Sequence, residues 1–576
     1  MAQSGGKIIG DILKRFEVPF LFTLCGGHIS PILVAAKQAG IRVVDVRDEA
    51  TAVFAADAVG RLTGRPGVAA VTAGPGVTNT LTAVKNAQMA QSPVILLGGA
   101  APTVLRGRGA LQDIDQISLI LTAVKAAMTI EQNCDIIPIM EKAFETAVTG
   151  LPGPVFVECP IDLLYDEALV RKWYSAPDKA GGSLRSRVTG IYLKRRVDRM
   201  FACDPTTDTA EAAAPAIDDP SSRNLNRVAV KLEKASKPVL IVGSQALGRP
   251  EKAGELAAAV TGLGLPVYLT GMARGLLGRD HPLQMRHNRR QALKAADLVM
   301  LAGMPCDFRL DYGRAIPRSA SLVAINRSRA DLTLNRKPDV GVLGDPAAFL
   351  CALTRQGLKT DWSHWVAHLK DEEGRREEAI DDQAAATTDF VNPIAFLRTL
   401  DRFLGKDGII VGDGGDFVAS AAYVLQPQRP LSWLDPGVFG TLGVGAGFAL
   451  GAALCRPEAE IWLIYGDGAA GYSLQEFDTM VRHGIPVIAV VGNDGGWAQI
   501  ARDQKEILGD DVATVLRRTD YHKVAEGYGG KGLLVDRPEQ ILPALTRARE
   551  MAQSGRPVLV NVLIGRTDFR KGSISM

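Results

Sequence analysis

Two apolar runs, residues 461–465 and 487–491, end in turns that combine glycine with oxygen-bearing side chains. The first run ends at Asp467 in the sequence GDG, and the second ends at Asn493 in the sequence NDG. Both runs are typical of buried strands, and ligands of open α/β sheets bind at the carboxyl ends of strands. A carboxylate oxygen, an amide oxygen and the carbonyl near Gly495 suit Mg²⁺, which also accepts phosphate oxygens. The pattern therefore predicts a site for a magnesium ion and a diphosphate.

The residues around Asp467 favour close approach of the backbone to that diphosphate. Gly466 and Gly468 have no side chain to block a ligand, and the N–H groups of a following helix would face an anion. A helical pattern over residues 474–481 completes a βαβ unit. The alternative interpretation is a GDG turn that arose by chance in a dehydrogenase-like unit.

Length and composition limit the domain number, the class of partner and the location of the protein. The 576 residues suggest about three or four domains, and a net charge of +3 gives no basic surface for nucleic acid. The seven cysteines form no C-x-x-C pair, so we expect free thiols in a reducing compartment. The N-terminus has no signal-peptide pattern, and no run reaches membrane-spanning length. We therefore expect a cytoplasmic protein without an integral membrane segment.

Strand and helix patterns alternate along most of the chain. This alternation predicts an α/β protein with doubly wound, mainly parallel sheets. We expect three such domains, with a linker between the first two and a charged helical connector before the third. In chain order, domains and connections cover residues 1–170, 171–225, 226–355, 356–390 and 391–576.

The linker contains one amphipathic helical pattern, over residues 185–201. Its apolar side chains share one helix face, and its basic side chains lie elsewhere on the helix. The apolar set is Leu193, Val197, Met200 and Phe201, and the basic set is Lys194, Arg195, Arg196 and Arg199. The pattern fits packing between domains, with a position on a membrane surface as the alternative.

Glu49 is the candidate for acid–base chemistry in the first domain. It lies between a predicted strand and a helix whose residues are almost all apolar. Burial disfavours the ionised carboxyl and should raise the pKa of Glu49, which suits sharing a proton with a ring nitrogen. The alternative role is a favourable charge at a helix N-terminus.

The sequence RDE at Glu49, followed by a regular series of alanines, resembles the activating motif of thiamine diphosphate (ThDP) lyases and decarboxylases. Together with the GDG and NDG turns, the resemblance covers essentially the whole chain. It implies pyrimidine, central and diphosphate domains, with ThDP and Mg²⁺ as cofactors. It also implies that Glu49 bonds the aminopyrimidine ring at the diphosphate site of another subunit. The minimum unit would be a homodimer, and we expect a homotetramer.

The same resemblance implies roles for further positions. His28, after two glycines, would place an imidazole over the thiazolium ring, and Gln112 would reach the active centre. Leu442 would hold the cofactor in its V-shaped conformation. The implied metal ligands are Asp467, Asn493 and Gly495. The implied cofactor contacts are Gly414, Gly415, Asp416, Gly440, Leu442, Gly466, Gly468, Ala469, Ala470 and Asn493.

Longer blocks such as GGHISP, GMARGLLGRDHPL and GRTDFRKGSI are similar to the 2-hydroxyacyl-CoA lyases of the acetolactate-synthase-like group. This resemblance implies cleavage of a 2-hydroxyacyl-CoA to formyl-CoA and an aldehyde or ketone, and the reverse acyloin condensation. The alternative is a carboligase or decarboxylase of free 2-oxo acids, like acetolactate synthase or benzaldehyde lyase. A non-catalytic scaffold is disfavoured because Glu49, Asp467 and Asn493 are all present.

An acyl-CoA substrate requires groups that bind phosphate. Arginines follow a predicted strand end in the central domain and suit this purpose; they are Arg274, Arg279, Arg286, Arg289, Arg290, Arg309 and Arg314. We expect substrate contacts from Arg274, Arg309, Arg314, Trp497, Arg570 and Lys571. The central domain would hold CoA, ADP or FAD, or no ligand. The C-terminal tail would close over the substrate or fray.

Overall fold

The computed structural model describes residues 4–175, 184–203 and 220–571. The chain forms two compact units, residues 1–215 and 216–576. The described strands make three six-stranded sheets, and every strand pair within them is parallel. The predicted fold class, three mainly parallel α/β domains, is confirmed.

The first unit contains one sheet. Its strands are β1 Phe20–Thr23, β2 Arg42–Asp45, β3 Gly67–Val71, β4 Val94–Ala100, β5 Ala126–Thr129 and β6 Val155–Pro160. Its helices are α1 Gly5–Arg15, α2 Ser30–Gln38, α3 Glu49–Thr63, α4 Pro75–Asn79, α5 Leu81–Met89, α6 Gln116–Ile120, α7 Ile136–Val148, α8 Ile161–Leu164, α9 Glu167–Tyr174 and α10 Leu184–Met200. The strand order is β2-β1-β3-β4-β6-β5. All residues of β3 and β4 are buried, as expected for strands covered on both faces.

The second unit contains two sheets, of which the first occupies the centre of the chain. Its strands are β7 Pro238–Val242, β8 Val267–Leu269, β9 Gln284–Met285, β10 Leu298–Ala302, β11 Ser321–Asn326 and β12 Val340–Leu343. The helices are α11 Ser222–Lys234, α12 Ala253–Leu263, α13 Arg289–Ala295, α14 Arg329–Leu332, α15 Pro346–Thr354 and α16 Ser363–Ala385. The strand order is β12-β11-β10-β7-β8-β9.

The third sheet carries the GDG and NDG turns. Its strands are β13 Ile409–Asp413, β14 Trp433–Leu434, β15 Ile461–Gly466, β16 Ile488–Asn493, β17 Lys531–Val535 and β18 Val558–Leu563, in the order β14-β13-β15-β16-β18-β17. The helices are α17 Pro393–Phe403, α18 Asp416–Val424, α19 Gly445–Cys455, α20 Asp467–Ser473, α21 Glu476–His483, α22 Ala498–Leu508, α23 Tyr521–Gly527 and α24 Ile541–Gln553. Strands β15 and β16 are neighbours with Gly466 opposite Gly492, so both turns lie at the same sheet edge.

The helix after the GDG turn differs from the sequence-based expectation. The prediction placed one helix over residues 474–481, whereas α20 begins at Asp467 itself and a second helix, α21, follows it. The residues of α20 are mostly small and show no apolar period, so only the amphipathic α21 gave a signal. An acidic residue in the first turn also favours a helix start at Asp467.

Two further expectations need correction. Cys134 and Cys203 form a disulfide, with Cα atoms 5.8 Å apart, so the prediction of seven free thiols is wrong for this pair. The pattern missed it because 69 positions separate the two residues in sequence. The predicted solvated connector is helical in α16, but Trp365, Leu369 and Ile380 of that helix are buried.

The predicted irregular segment of the linker falls largely on residues 204–219, which lie outside the described residues. Within the described ranges, no helix combines the length and apolar composition needed to cross a bilayer. The cytoplasmic location stays a prediction.

Candidate active site

Asp467 joins the two turns at the edge of the third sheet. Its Oδ2 accepts the N–H groups of Gly495 at 2.8 Å and Gly496 at 3.1 Å, and its Oδ1 accepts the N–H of Gly468 at 2.8 Å. The side chain is 3% exposed, and burial raises the pKa of this carboxyl. The predicted neighbourhood of Asp467 and Gly495 is therefore present in the fold.

Asn493 offers an unused oxygen in the same place. Its Nδ2 donates to the Thr519 carbonyl at 3.0 Å and to Asn561 Oδ1 at 3.1 Å. These two acceptors identify the nitrogen of the amide, so Oδ1 must point the other way. Asn493 is fully buried, and Oδ1 has no hydrogen-bond partner. A buried acceptor without a donor is costly, and a cation would satisfy it.

A second acidic group lies near this oxygen-rich edge. Asp494 is the residue between the two predicted ligands of the NDG turn, and burial together with the nearby Asp467 charge raises the pKa of Asp494 to about 7. Arg518 donates to the Asn493 carbonyl and fixes the turn from outside. The donor set of carboxylates, an amide and carbonyls is the chemistry that Mg²⁺ prefers.

Glycines bring the backbones of this edge close together. A Cβ on Gly414 would lie 2.7 Å from the Gly466 nitrogen, and one on Gly468 would lie 2.5 Å from the Trp497 ring. Both distances are too short for a real side chain. Trp497 therefore packs against the GDG turn, and its predicted contact with substrate stays a prediction.

Asp413 organises the glycine loop before α19, a role that the sequence did not reveal. Its fully buried carboxylate accepts the N–H groups of Gly443 at 3.1 Å and Gly445 at 2.8 Å. Burial raises the pKa of Asp413 to about 7. The loop held in this way contains Gly440, in a left-handed conformation with φ of 65°, and the half-buried Leu442.

Asp416 has a partner that the sequence analysis did not anticipate. It begins α18, directly after Gly414 and Gly415, and its carboxylate pairs with Arg502 of α22. Burial lowers the pKa of Arg570, and the nearby charge of Asp416 opposes this shift. The Nε atom of Arg570 is buried without a partner.

Glu49 is the first residue of α3 in the first unit. Asp48 caps the helix by accepting the Ala50 N–H at 2.7 Å, so the Glu49 carboxylate is not consumed by capping. Glu49 is 7% exposed, and its Oε2 accepts Asn79 Nδ2 at 3.1 Å. The Glu49 side chain is thus buried and accepts one hydrogen bond from an uncharged donor. Asn79 was not predicted, because it is 30 positions away in sequence.

His28 and Gln112, both predicted, are joined by an unpredicted residue, Thr72. His28 Nδ1 lies 3.2 Å from Thr72 Oγ1, which donates to Gln112 Oε1 at 3.4 Å. The threonine hydroxyl has a single proton, so donation to Gln112 leaves it an acceptor for Nδ1–H. Nε2 of the imidazole then carries the free lone pair, and no described residue bonds it. Partial burial lowers the pKa of His28 below its usual 6.5.

Close backbone approach makes this arrangement geometrically demanding. A Cβ on Gly26 would lie 2.3 Å from the Thr72 side chain, and one on Gly74 would lie 2.8 Å from the Gln112 carbonyl. Gln112 itself has φ of 62°, a conformation that costs energy for a residue with a side chain. The buried Gln116 holds the loop by accepting the Gly74 N–H at 2.8 Å. Strained residues of this kind concentrate at functional sites.

A cavity of about 410 Å³ lies within the second unit. Five arginines line it together with the aromatic residues Tyr268, Phe308 and Tyr423; they are Arg274, Arg286, Arg289, Arg290 and Arg309. Three of the five pair with carboxylates: Arg286 with Glu377, Arg290 with Asp311 and Arg309 with Asp307. The cavity thus brings together two predicted substrate residues, Arg274 and Arg309, with three arginines from the same predicted series.

Two arginines of this cavity have no carboxylate partner among the described residues. Arg274 donates to the Ala422 carbonyl, its Nε has no partner, and burial lowers its pKa to about 10. Arg289 donates to the Arg309 carbonyl at 2.7 Å. Burial, then the Arg309 charge, lowers the pKa of Arg289. Arginines without a direct carboxylate partner in a cleft favour an anionic ligand.

Besides Trp497, three predicted substrate residues lie outside the lining of this cavity. Arg314 is 71% exposed and pairs with Asp311. Lys571 is exposed at the end of the described chain. Arg570 follows Phe569, which is 8% exposed and packs edge-on against Tyr423 at 5.7 Å. Because Tyr423 lines the cavity, the described part of the tail reaches the same neighbourhood.

Three family models match the chain in sequence order. Residues 3–119 match the N-terminal TPP binding domain of thiamine pyrophosphate enzymes, residues 225–353 the central domain, and residues 413–562 the C-terminal TPP binding domain. The first model covers His28, Glu49 and Gln112, and the last covers Asp467 and Asn493.

Relatives are similar to the chain over its whole length. A protein of Bos taurus named 2-hydroxyacyl-CoA lyase 2 is 52% identical over 584 residues, covering 100% of this chain and 92% of the relative. The human protein of that name is 50% identical with the same coverage. Acetolactate synthase large subunit IlvG of Mycobacterium tuberculosis is 34% identical, covering 97% of this chain and 95% of its own. The chain thus belongs to the thiamine pyrophosphate enzymes and is a thiamine diphosphate-dependent carbon–carbon lyase.

Proposed function

We propose that the protein cleaves a 2-hydroxyacyl-CoA to formyl-CoA and an aldehyde or ketone, and that it also catalyses the reverse condensation. The observation that carries the choice of a CoA thioester is the arginine-lined cavity of about 410 Å³. Arg274 and Arg289 make no direct ion pair with a described carboxylate, and Phe308, 49% exposed, could stack on adenine. The names of the relatives at about half identity support the same substrate.

The residues at the third sheet fit a magnesium diphosphate. In the proposed arrangement the Asp467 carboxylate, Asn493 Oδ1 and the Gly495 carbonyl would hold Mg²⁺, and the backbone from Gly468 to Ala470 would contact the diphosphate. The unpartnered Asn493 Oδ1 and the glycine-lined backbone support this assignment. When bound, thiamine diphosphate supplies a nucleophilic carbon and accepts the electron pair of the broken C–C bond.

Two residues of the first unit would move protons. Glu49, 7% exposed and bonded by Asn79, would exchange a proton with the aminopyrimidine nitrogen. His28 accepts the proton of the substrate hydroxyl at Nε2, because Nδ1 is engaged with Thr72. We propose that Glu49 acts at the diphosphate site of a partner subunit, in a homodimer or a homotetramer.

The pH dependence tests the role of His28. Because burial lowers the pKa of His28, the imidazole is neutral and basic at pH 7. We expect kcat/KM to be constant above the usual histidine pKa of 6.5 and to fall as the pH drops through the lowered pKa. His28→Gln should reduce kcat by about 10²–10⁴-fold and remove this acidic limb. If the acidic limb of the kcat/KM profile were unchanged in the variant, a group other than His28 would be the one that titrates.

Arg289 tests the location of the CoA nucleotide. Loss of one charged hydrogen bond costs about 1.5–3 kcal/mol, so Arg289→Gln should raise KM for the CoA substrate roughly ten- to a hundredfold with little change in kcat. Arg318→Gln, an exposed site of the same domain outside the cavity, is the matched control. Equal KM values for the two variants in initial-rate assays would show that the cavity does not bind the substrate.

The reaction itself is tested with both candidate substrate classes. The purified protein with thiamine diphosphate and Mg²⁺ should release formyl-CoA from a 2-hydroxyacyl-CoA, detected by liquid chromatography and mass spectrometry. The 34% identity to an acetolactate synthase makes pyruvate the second substrate to test. Acetolactate from pyruvate without formyl-CoA release would replace the proposal with a free 2-oxo acid carboligase.

A further inference from the structure

Helix α10 has one face that packs on the first unit. Val197 and Met200 are each 2% exposed and belong to the core of that unit, with Phe201 packed against them. Asp198 pairs with Arg171 of α9 at 2.6 Å. This packing places Val197 and Met200 inside the first unit and fixes which side of the helix points outward. Packing of the helix between domains stays a prediction.

The outward face carries three apolar side chains. Val188 is 61% exposed, Ile191 is 54% exposed and Tyr192 is 49% exposed. Their spacing of three and four residues places them side by side on one helix face. Trp173 of α9 is also 47% exposed. Single exposed apolar residues are common, but several on one face indicate an interaction surface.

Positive charge continues this face toward the C-terminal end of the helix. Arg195 and Arg199 follow Ile191 at intervals of four residues, and Lys194 and Arg196 lie on either side. None of these four makes an ion pair with any residue that the structure describes. The nearby acidic group, Asp198, is engaged by Arg171. The surface therefore combines exposed apolar side chains with positive charge that no described residue pairs with.

We propose that the outward face of α10 docks on an anionic membrane surface. Val188, Ile191 and Tyr192 would enter the boundary between headgroups and acyl chains, while Arg195 and Arg199 would pair with lipid phosphates. A second copy of the chain is a poorer occupant. In a two-fold interface the same patch faces itself, which would place four unpaired cations against four more.

Vesicle co-sedimentation of the full chain tests the proposal. We expect binding to vesicles of phosphatidylcholine with phosphatidylserine, weak binding to phosphatidylcholine alone, and release at high salt, because salt screens the attraction. Each basic residue near an anionic surface contributes roughly a fivefold change in partitioning. Arg195→Glu/Arg199→Glu should therefore weaken binding at least tenfold, and Ile191→Asp/Tyr192→Ser should abolish it.

The control variant carries the same charge change elsewhere. Lys37→Glu/Lys531→Glu alters two exposed lysines outside α10. When vesicle binding is compared over a salt titration, to allow for the smaller net charge, this variant should bind like the parent. Lyase activity with a water-soluble substrate and the circular dichroism spectrum should be unchanged in the α10 variants. If a variant does not fold, Tyr192→Trp provides a second measurement, since its fluorescence should shift to shorter wavelength with anionic vesicles.

Two results would overturn the proposal. One is the absence of binding to anionic vesicles, or equal binding by the α10 and control variants. The other is a change in oligomeric state of the α10 variants in size-exclusion chromatography without vesicle binding, which would assign the face to contact between copies. The test does not involve formyl-CoA release, so its outcome is independent of the proposed substrate.

Discussion

Replacement of Glu49 by glutamine is expected to reduce kcat/KM by about 10²–10⁴-fold, the usual contribution of a positioned proton-transfer group. Asn79 donates to the Glu49 carboxylate at 3.1 Å, and a glutamine carbonyl can accept the same bond. The substitution therefore preserves the local packing while removing the group that holds the proton. Initial rates with saturating thiamine diphosphate and Mg²⁺ provide the measurement.

The interpretation depends on an intact fold and a bound cofactor. The melting temperature and the affinity for thiamine diphosphate should change little in Glu49→Gln. Glu131→Gln, at an exposed position, provides the same chemical change away from the site and should retain full activity. Turnover within tenfold of the parent in Glu49→Gln would exclude the proposed role.

Replacement of Asp467 by asparagine is expected to weaken magnesium-dependent cofactor binding by at least a hundredfold. Groups that only orient a metal ligand contribute about 10–100-fold in affinity, and a direct ligand should contribute more. The quenching of Trp497 fluorescence measures binding without turnover, because this ring packs against Gly468 of the same turn. Asp478→Asn, on the neighbouring α21, is the control and should bind normally. Normal binding by Asp467→Asn would refute the proposed metal site.

The two inactive variants together test whether sites are shared between subunits. If Glu49 of one subunit serves the diphosphate site of another, a mixed dimer of Glu49→Gln and Asp467→Asn has one site with both native residues. Dissociation, mixing and reassociation should then give mixed dimers with up to about half of the parent specific activity, because one of their two sites is intact. If each site lies in one subunit, every site retains one defect and no activity returns.

The sequence revealed those parts of the fold that have local signals. Strands β3, β4, β15 and β16 are continuous apolar runs because both faces are buried. The turns after such strands could be located, and so Asp467 and Asn493 were expected at one sheet edge. Edge strands such as β9 and β14, with two residues each, carry no periodic pattern and were missed.

Contacts between distant positions could not be predicted in the same way. Thr72 is one of many small polar residues in the sequence, and only the fold places its hydroxyl between His28 and Gln112. Asp413 was visible as part of a turn, yet its role as acceptor for the loop 30 positions later was not. The roles of such residues depend on contacts that the fold creates between distant positions. The residue type alone therefore does not reveal them.

The unpartnered Oδ1 of Asn493 has a thermodynamic consequence. The folded chain carries the cost of this buried acceptor, about 1–3 kcal/mol, and a cation at the proposed metal site would relieve it. With the proposed metal site, cofactor binding and folding would be linked equilibria, and ligand at a hundred times its Kd would stabilise the native state by about 2.7 kcal/mol. The supply of thiamine diphosphate would then set not only how fast this enzyme turns over but how much of it survives in the cell.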